Sequence, residues 1–88
     1  MATFESRDRE LYIDSKKVLK AWESFTGWYW FAVEEVGELE GKPVWFGFVQ
    51  GLENEWGEFA EAELDALIKK GQIWEIPQRN LPISGRRG

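Results

Sequence analysis

Between Trp28 and Gln50 the chain is apolar on both faces of any strand that can be drawn through it. Along Trp28–Val36, Trp28, Trp30 and Ala32 fall on one side, and Tyr29, Phe31 and Val33 on the other. Along Val44–Gln50, Val44, Phe46 and Phe48 oppose Trp45, Gly47 and Val49. Successive side chains of a strand alternate between faces, so a sheet wetted on one side should alternate apolar with polar. Two such runs around the polar, glycine-bearing link Gly37–Pro43 predict an antiparallel hairpin covered on both sides. Helices are the expected cover, or one helix and a partner chain. After a turn at Gly51–Glu55, Trp56–Phe59 predicts a short third strand. Ile73–Ile76 predicts a last edge strand, stopped by the missing donor of Pro77.

Two segments carry helical spacing instead. Val18, Leu19, Trp22 and Phe25 form a stripe that predicts a helix over about 14–24, capped by Asp14 or Ser15 and ended at Thr26-Gly27. Lys16, Lys17 and Lys20 would then face solvent. A second helix is predicted over about 61–70. Glu61, Glu63 and Asp65 suit its positive end, Lys69 and Lys70 its negative end, and Gly71 its C-terminal cap. Leu64, Leu67 and Ile68 form its apolar stripe. The fold expected is α+β: a small antiparallel sheet, the tryptophan-rich hairpin plus one or two short strands, packed by two helices. The 88 residues suit a single domain, with residues 1–10 and 84–88 expected to be flexible. Gly47 inside a strand predicts a bulge or a close approach to the backbone.

Composition narrows the chemistry. The chain holds no cysteine and no histidine, which removes disulfides, thiolate ligands, a thiol nucleophile and the commonest general base. No phosphate-binding glycine loop and no EF-hand spacing occurs. The expectation is a protein that is not an enzyme and takes no cofactor and no metal. The N-terminus lacks the pattern of a secretory signal, and no apolar run approaches the roughly 20 residues of a membrane-spanning helix. A cytoplasmic location and no membrane partner are therefore expected.

The net charge of −5 is unevenly spread. Residues 28–68 hold ten acids against Lys42 alone, whereas residues 69–88 hold five basic residues against Glu75. An acidic middle disfavours binding to phosphates, which rests largely on charge neutralisation. The run Glu53, Glu55, Glu58, Glu61, Glu63 and Asp65 reads first as a solvated face complementing a helix dipole.

Three motifs together resemble a known family. Trp30-Phe31-Ala32-Val33-Glu34 and Trp45-Phe46-Gly47-Phe48-Val49 are followed by Asn54-Glu55-Trp56-Gly57-Glu58-Phe59. This last motif leads into Ala62-Glu63-Leu64-Asp65-Ala66-Leu67. The pattern is similar to a small uncharacterised domain family of plasmids, phages and other mobile elements. The likeness covers residues 28–68 and departs at Val33, where the family tends to carry threonine. It implies a fold and transfers no catalytic residue.

The function expected is a non-catalytic interaction module, and the resemblance implies an origin on a mobile element. It would bind a protein partner, or itself as a homodimer, through a tryptophan-rich sheet face. Tryptophan is over-represented at binding hot spots, which selects Trp28, Trp30, Trp45 and Trp56. Glu34, Glu35 and Glu55 would supply an acidic rim that orients the partner. An acidic surface could also take the place of nucleic acid in a basic site of another protein. The alternative is a single-stranded nucleic-acid binder that stacks bases on the same aromatics, with Lys16, Lys17, Lys20, Arg86 and Arg87 meeting the phosphates.

Overall fold

The structure, a computed structural model, describes residues 2–77. The expected flexible end, 84–88, with Arg86 and Arg87, lies outside the described residues. The described chain forms eight strands and one helix in two antiparallel sheets. Strands β1 (Phe4–Arg7), β2 (Glu10–Ile13) and β3 (Lys16–Lys17) form a small meander. The larger sheet comprises β4 (Lys20–Ser24), β5 (Tyr29–Leu39), β6 (Lys42–Gln50), β7 (Asn54–Ala60) and β8 (Ile73–Glu75), ordered β7-β6-β5-β4-β8. Helix α1 (Glu61–Lys69) connects β7 to β8.

The expected two-helix α+β packing is corrected to a mostly β fold. The helix expected over 14–24 does not form; that segment instead supplies β3 and β4. Asp14 and Ser15, read as helix caps, have φ of 52° and 70° and make the two-residue turn between β2 and β3. Asp8-Arg9 and Glu40-Gly41 make equivalent turns, with positive φ at both positions. Two positive φ values give such a turn the twist of the strands it joins. Val18 N–H then donates to Leu11 in the small sheet at 2.9 Å, and Leu19 N–H to Ala32 in the large sheet at 2.7 Å. The chain thus crosses between sheets at this dipeptide. The apparent helical stripe is split: Val18 and Ala21 enter one core cluster and Trp22 the other.

Two clusters explain why the hairpin is apolar on both faces. On one face the small sheet covers the large one, joining Leu11, Ile13, Val18, Ala21, Phe31 and Phe48. Phe4, in the polar opening segment, meets Phe31 and Phe48 edge-on, with ring centroids 5.5 and 5.9 Å away. On the other face α1 covers Trp22, Ala32, Trp45 and Ile73 through Leu64, with Leu67 and Ile68 at the margin. Fully burying a large apolar side chain contributes roughly 1.5–3 kcal/mol. Trp22 and Phe31, each 1% exposed, anchor the two faces.

Helix α1 lies where its charges and cap predict. Gly71, at φ +77°, donates to Ile68 at 2.9 Å, and Gln72 N–H donates to Leu67 at 3.0 Å. This paired cap turns the chain sharply into β8. Gly47 faces a bulge in β5, where Val33 has no partner in the register. A methyl at Gly47 would overlap the Phe31 carbonyl oxygen, so the close approach excludes any other residue without backbone movement.

Candidate interaction site

The four selected tryptophans do not form one surface. Trp45, 7% exposed, lies beneath α1, and its indole N–H donates to Glu61 Oε1 at 2.9 Å. Glu61 Oε2 also accepts from Lys20 Nζ at 3.0 Å, which ties β4, β6 and the start of α1 together. Trp56 lies on the opposite sheet face, stacked on Phe46 with centroids 5.6 Å apart. Only Trp28 and Trp30 are neighbours, with centroids 6.0 Å apart on the helix-covered face.

These two rings sit at the end of the large sheet where the β4–β5 and β6–β7 connections turn. The β4–β5 connection is held tightly. Buried Ser24 accepts at Oγ from the backbone N–H groups of Thr26, at 3.2 Å, and Trp28, at 3.0 Å. Phe25 N–H donates to the Gln72 carbonyl at 3.1 Å. Gly27, at φ +93°, completes the turn in a conformation that glycine adopts without penalty. Trp28 lies over Gly51, where an added methyl would strike its ring. Phe25 is nevertheless 70% exposed, and Leu52, at the tip of the next turn, is 92% exposed.

Phe25, Trp28, Trp30, Leu67 and Ile73 line a groove of about 300 Å³, completed by Ser24, Thr26 and Gln72. None of these side chains is ionisable. The size lies at the lower end of the roughly 300–1,000 Å³ of small-molecule pockets and suits one bulky apolar group. Phe25 was assigned by its spacing to a buried helical face. Its position just before Thr26-Gly27, a turn signature, is the signal that would have placed it outside.

Of the three acids expected to rim the tryptophans, Glu55 shares the cross-strand row Trp30–Val49–Glu55, and the other two lie toward the far end of the sheet. Glu34 and Glu35 are exposed on β5 beyond the bulge, and Glu55 is exposed on β7. Lys42 Nζ contacts Asp65 at 2.9 Å. That hydrogen bond, with the charge of Asp65, raises the lysine above its ordinary pKa. Among the described residues no group of three or more acids could hold a metal ion.

The lysines chosen for nucleic acid share no helix face. Lys16 and Lys17 are on the small sheet and Lys20 on β4. Lys17 pairs with Glu10 at 3.1 Å, and Lys20 with Glu61 and, at 3.8 Å, Glu75. Lys16 Nζ lies over the Trp56 ring, 5.7 Å from its centroid.

No helix among the described residues is long and apolar enough to cross a membrane. No family model, curated protein or solved structure matches the chain, so the resemblance of residues 28–68 remains an expectation carried by short motifs.

Proposed function

We propose that the chain is a non-catalytic interaction module that takes a bulky apolar side chain of a protein partner into the Phe25–Trp28–Trp30 groove. The observation that carries this reading is Phe25. Its own N–H is held by the Gln72 carbonyl and the turn that follows it is held by Ser24 through Thr26 and Trp28, while the residue is 70% exposed. An aromatic anchor held in place before contact loses little freedom on binding, which lowers the cost of association. The uncharged lining selects the occupant, since it offers neither a cation for phosphate nor a carboxylate for a basic group. The nucleic-acid alternative has less support, because two of its three lysines already hold acidic partners.

The test is a selection of displayed random peptides on the protein, counter-selected with Leu67→Arg, which places a charge at the groove wall. Peptides carrying an aromatic or large aliphatic anchor are expected. Phe25→Ala should weaken them about thirtyfold, the size of a binding hot spot of about 2 kcal/mol. Enrichment that survives both variants would overturn the proposal. A dimer seen by light scattering and dissociated by Phe25→Ala would also overturn it, since the occupant would then be a second copy. Salt-sensitive binding of a single-stranded oligonucleotide at this groove would favour the alternative.

A further inference from the structure

A second surface lies at the other end of the same sheet and is independent of the groove. Strand β4 pairs with β5 only as far as Ala32. From Glu34 to Leu39, β5 pairs with β6 on one side, with a second bulge at Val36, which has no partner in the register, while no described strand occupies the other side. An unpaired strand edge is a template for strand addition. Val36 and Leu39 along it are 43% and 42% exposed.

The chemistry beside this edge has one sign. Glu34, Glu35, Glu38 and Glu40 are exposed, and no described side chain forms an ion pair or hydrogen bond with their carboxylates. The nearest cation in sequence, Lys42, is held by Asp65. Two copies joined edge to edge would bring glutamates against glutamates, so the charges that deter self-association favour a basic partner. Glu34 and Glu58 are both in register with Phe46, from either side, and Phe46 stacks on Trp56. Directly paired residues have Cβ atoms about 5 Å apart, so the Glu34 and Glu58 side chains start from the two strands that flank Phe46. That arrangement suits a guanidinium or ammonium group over the ring. Lys16 already makes such a contact with Trp56.

We propose that the free edge of β5 from Glu34 to Leu39 receives an extended basic segment of another protein, added as a strand, with one arginine or lysine reaching between Glu34 and Glu58. The probe is an octapeptide of alternating arginine and valine. A second version carries N-methyl groups on every backbone amide, which removes the donors of both strand edges and keeps every charge. Binding by fluorescence anisotropy should weaken about tenfold with the N-methylated peptide, and about tenfold again in Glu34→Lys/Glu38→Lys. Both changes lie on exposed side chains or on the probe, so folding is not at stake. Hydrogen exchange should slow at the amides of residues 34–39 and not at those of Phe25–Trp28. Equal affinity for the two peptides, or protection elsewhere than β5, would overturn the proposal by reducing the contact to diffuse charge attraction. Phe25→Ala leaves this binding unchanged, so the edge and the groove stand or fall separately.

Discussion

The two ends of the large sheet expose themselves in opposite ways. At the turn end, the β4–β5 connection is tied through Ser24 and Gln72, and the largest exposed groups it and the next turn present are apolar, Phe25 and Leu52 beside the Trp28–Trp30 pair, with Glu53 and Glu55 exposed along the β6–β7 side. At the arm end, β5 and β6 run past their neighbours and what projects is carboxylate, with a backbone edge left open. The first end resembles a prepared contact, in which binding loses little conformational freedom. The second resembles the guarded edge of a natural β protein, where bulges and charges prevent pairing with the wrong strand. Exposure alone therefore does not mark a site. What distinguishes the ends is whether the exposed atoms are held and what chemistry would cover them.

The junction between the ends is Gly47, and breaking it should have the largest effect. In Gly47→Ala the new methyl would meet the Phe31 carbonyl oxygen and stand 3.0 Å from the Ala32 Cα. Backbone, not a flexible side chain, would have to move. Overpacking of this kind costs typically 1–3 kcal/mol, and the upper end, about 3 kcal/mol, is expected here. Urea denaturation gives the number. A loss below about 1 kcal/mol would mean that the bulge adjusts freely and that the arm is not rigidly joined to the covered half.

The next effect sharpens the turn end. Ser24→Ala removes an acceptor that serves two backbone donors, Thr26 and Trp28. Leaving partners of this kind unpaired costs about 1–3 kcal/mol; the partly exposed loop should lose about 1 kcal/mol, because water can reach Thr26. Exchange of the Thr26 and Trp28 amides should accelerate while β5–β6 amides keep their protection. Acceleration throughout the sheet would show that the two ends are one cooperative unit rather than two.

How much of this was legible in the sequence depends on what each residue had to signal. The hairpin, the third strand, the edge strand and α1 were legible because β-branched and aromatic runs, Gly71 and Pro77 report local conformation directly. The segment 14–24 was not. A strand that buries Ala21 on one face and Trp22 on the other loses the alternation that marks a strand, and Asp14-Ser15 serves a tight turn as readily as a helix start. The small sheet that replaced the missing helix rests on two-residue turns without glycine, so its punctuation was weak. Trp28 and Trp30 were correctly placed on one face by parity, yet Trp45 shares that face and is buried. Parity assigns a side, and only the packed helix decides what stays open on it.

The smallest effect expected is the one that tests the guarded edge. Changing Glu34, Glu35 and Glu38 together to glutamine removes three unpaired negative charges and no contact among the described residues. Surface changes of this kind usually stay within about 0.5 kcal/mol, and relief of like-charge repulsion sets the sign as stabilising. The gain should fade as salt is added, because screening removes the same repulsion at ionic strengths near 1 M, where the Debye length is about 3 Å. The comparison with unaltered protein is made on denaturant midpoints at low and high salt. A loss of stability at low salt would show that the glutamates hold the arm in place rather than guard it. With charge removed, the open edge should also become a better site for a second copy, so a concentration-dependent rise in mass by light scattering is expected for the triple variant alone. Absence of any rise would leave the bulges at Val33 and Val36, not the charges, as the feature that keeps copies apart.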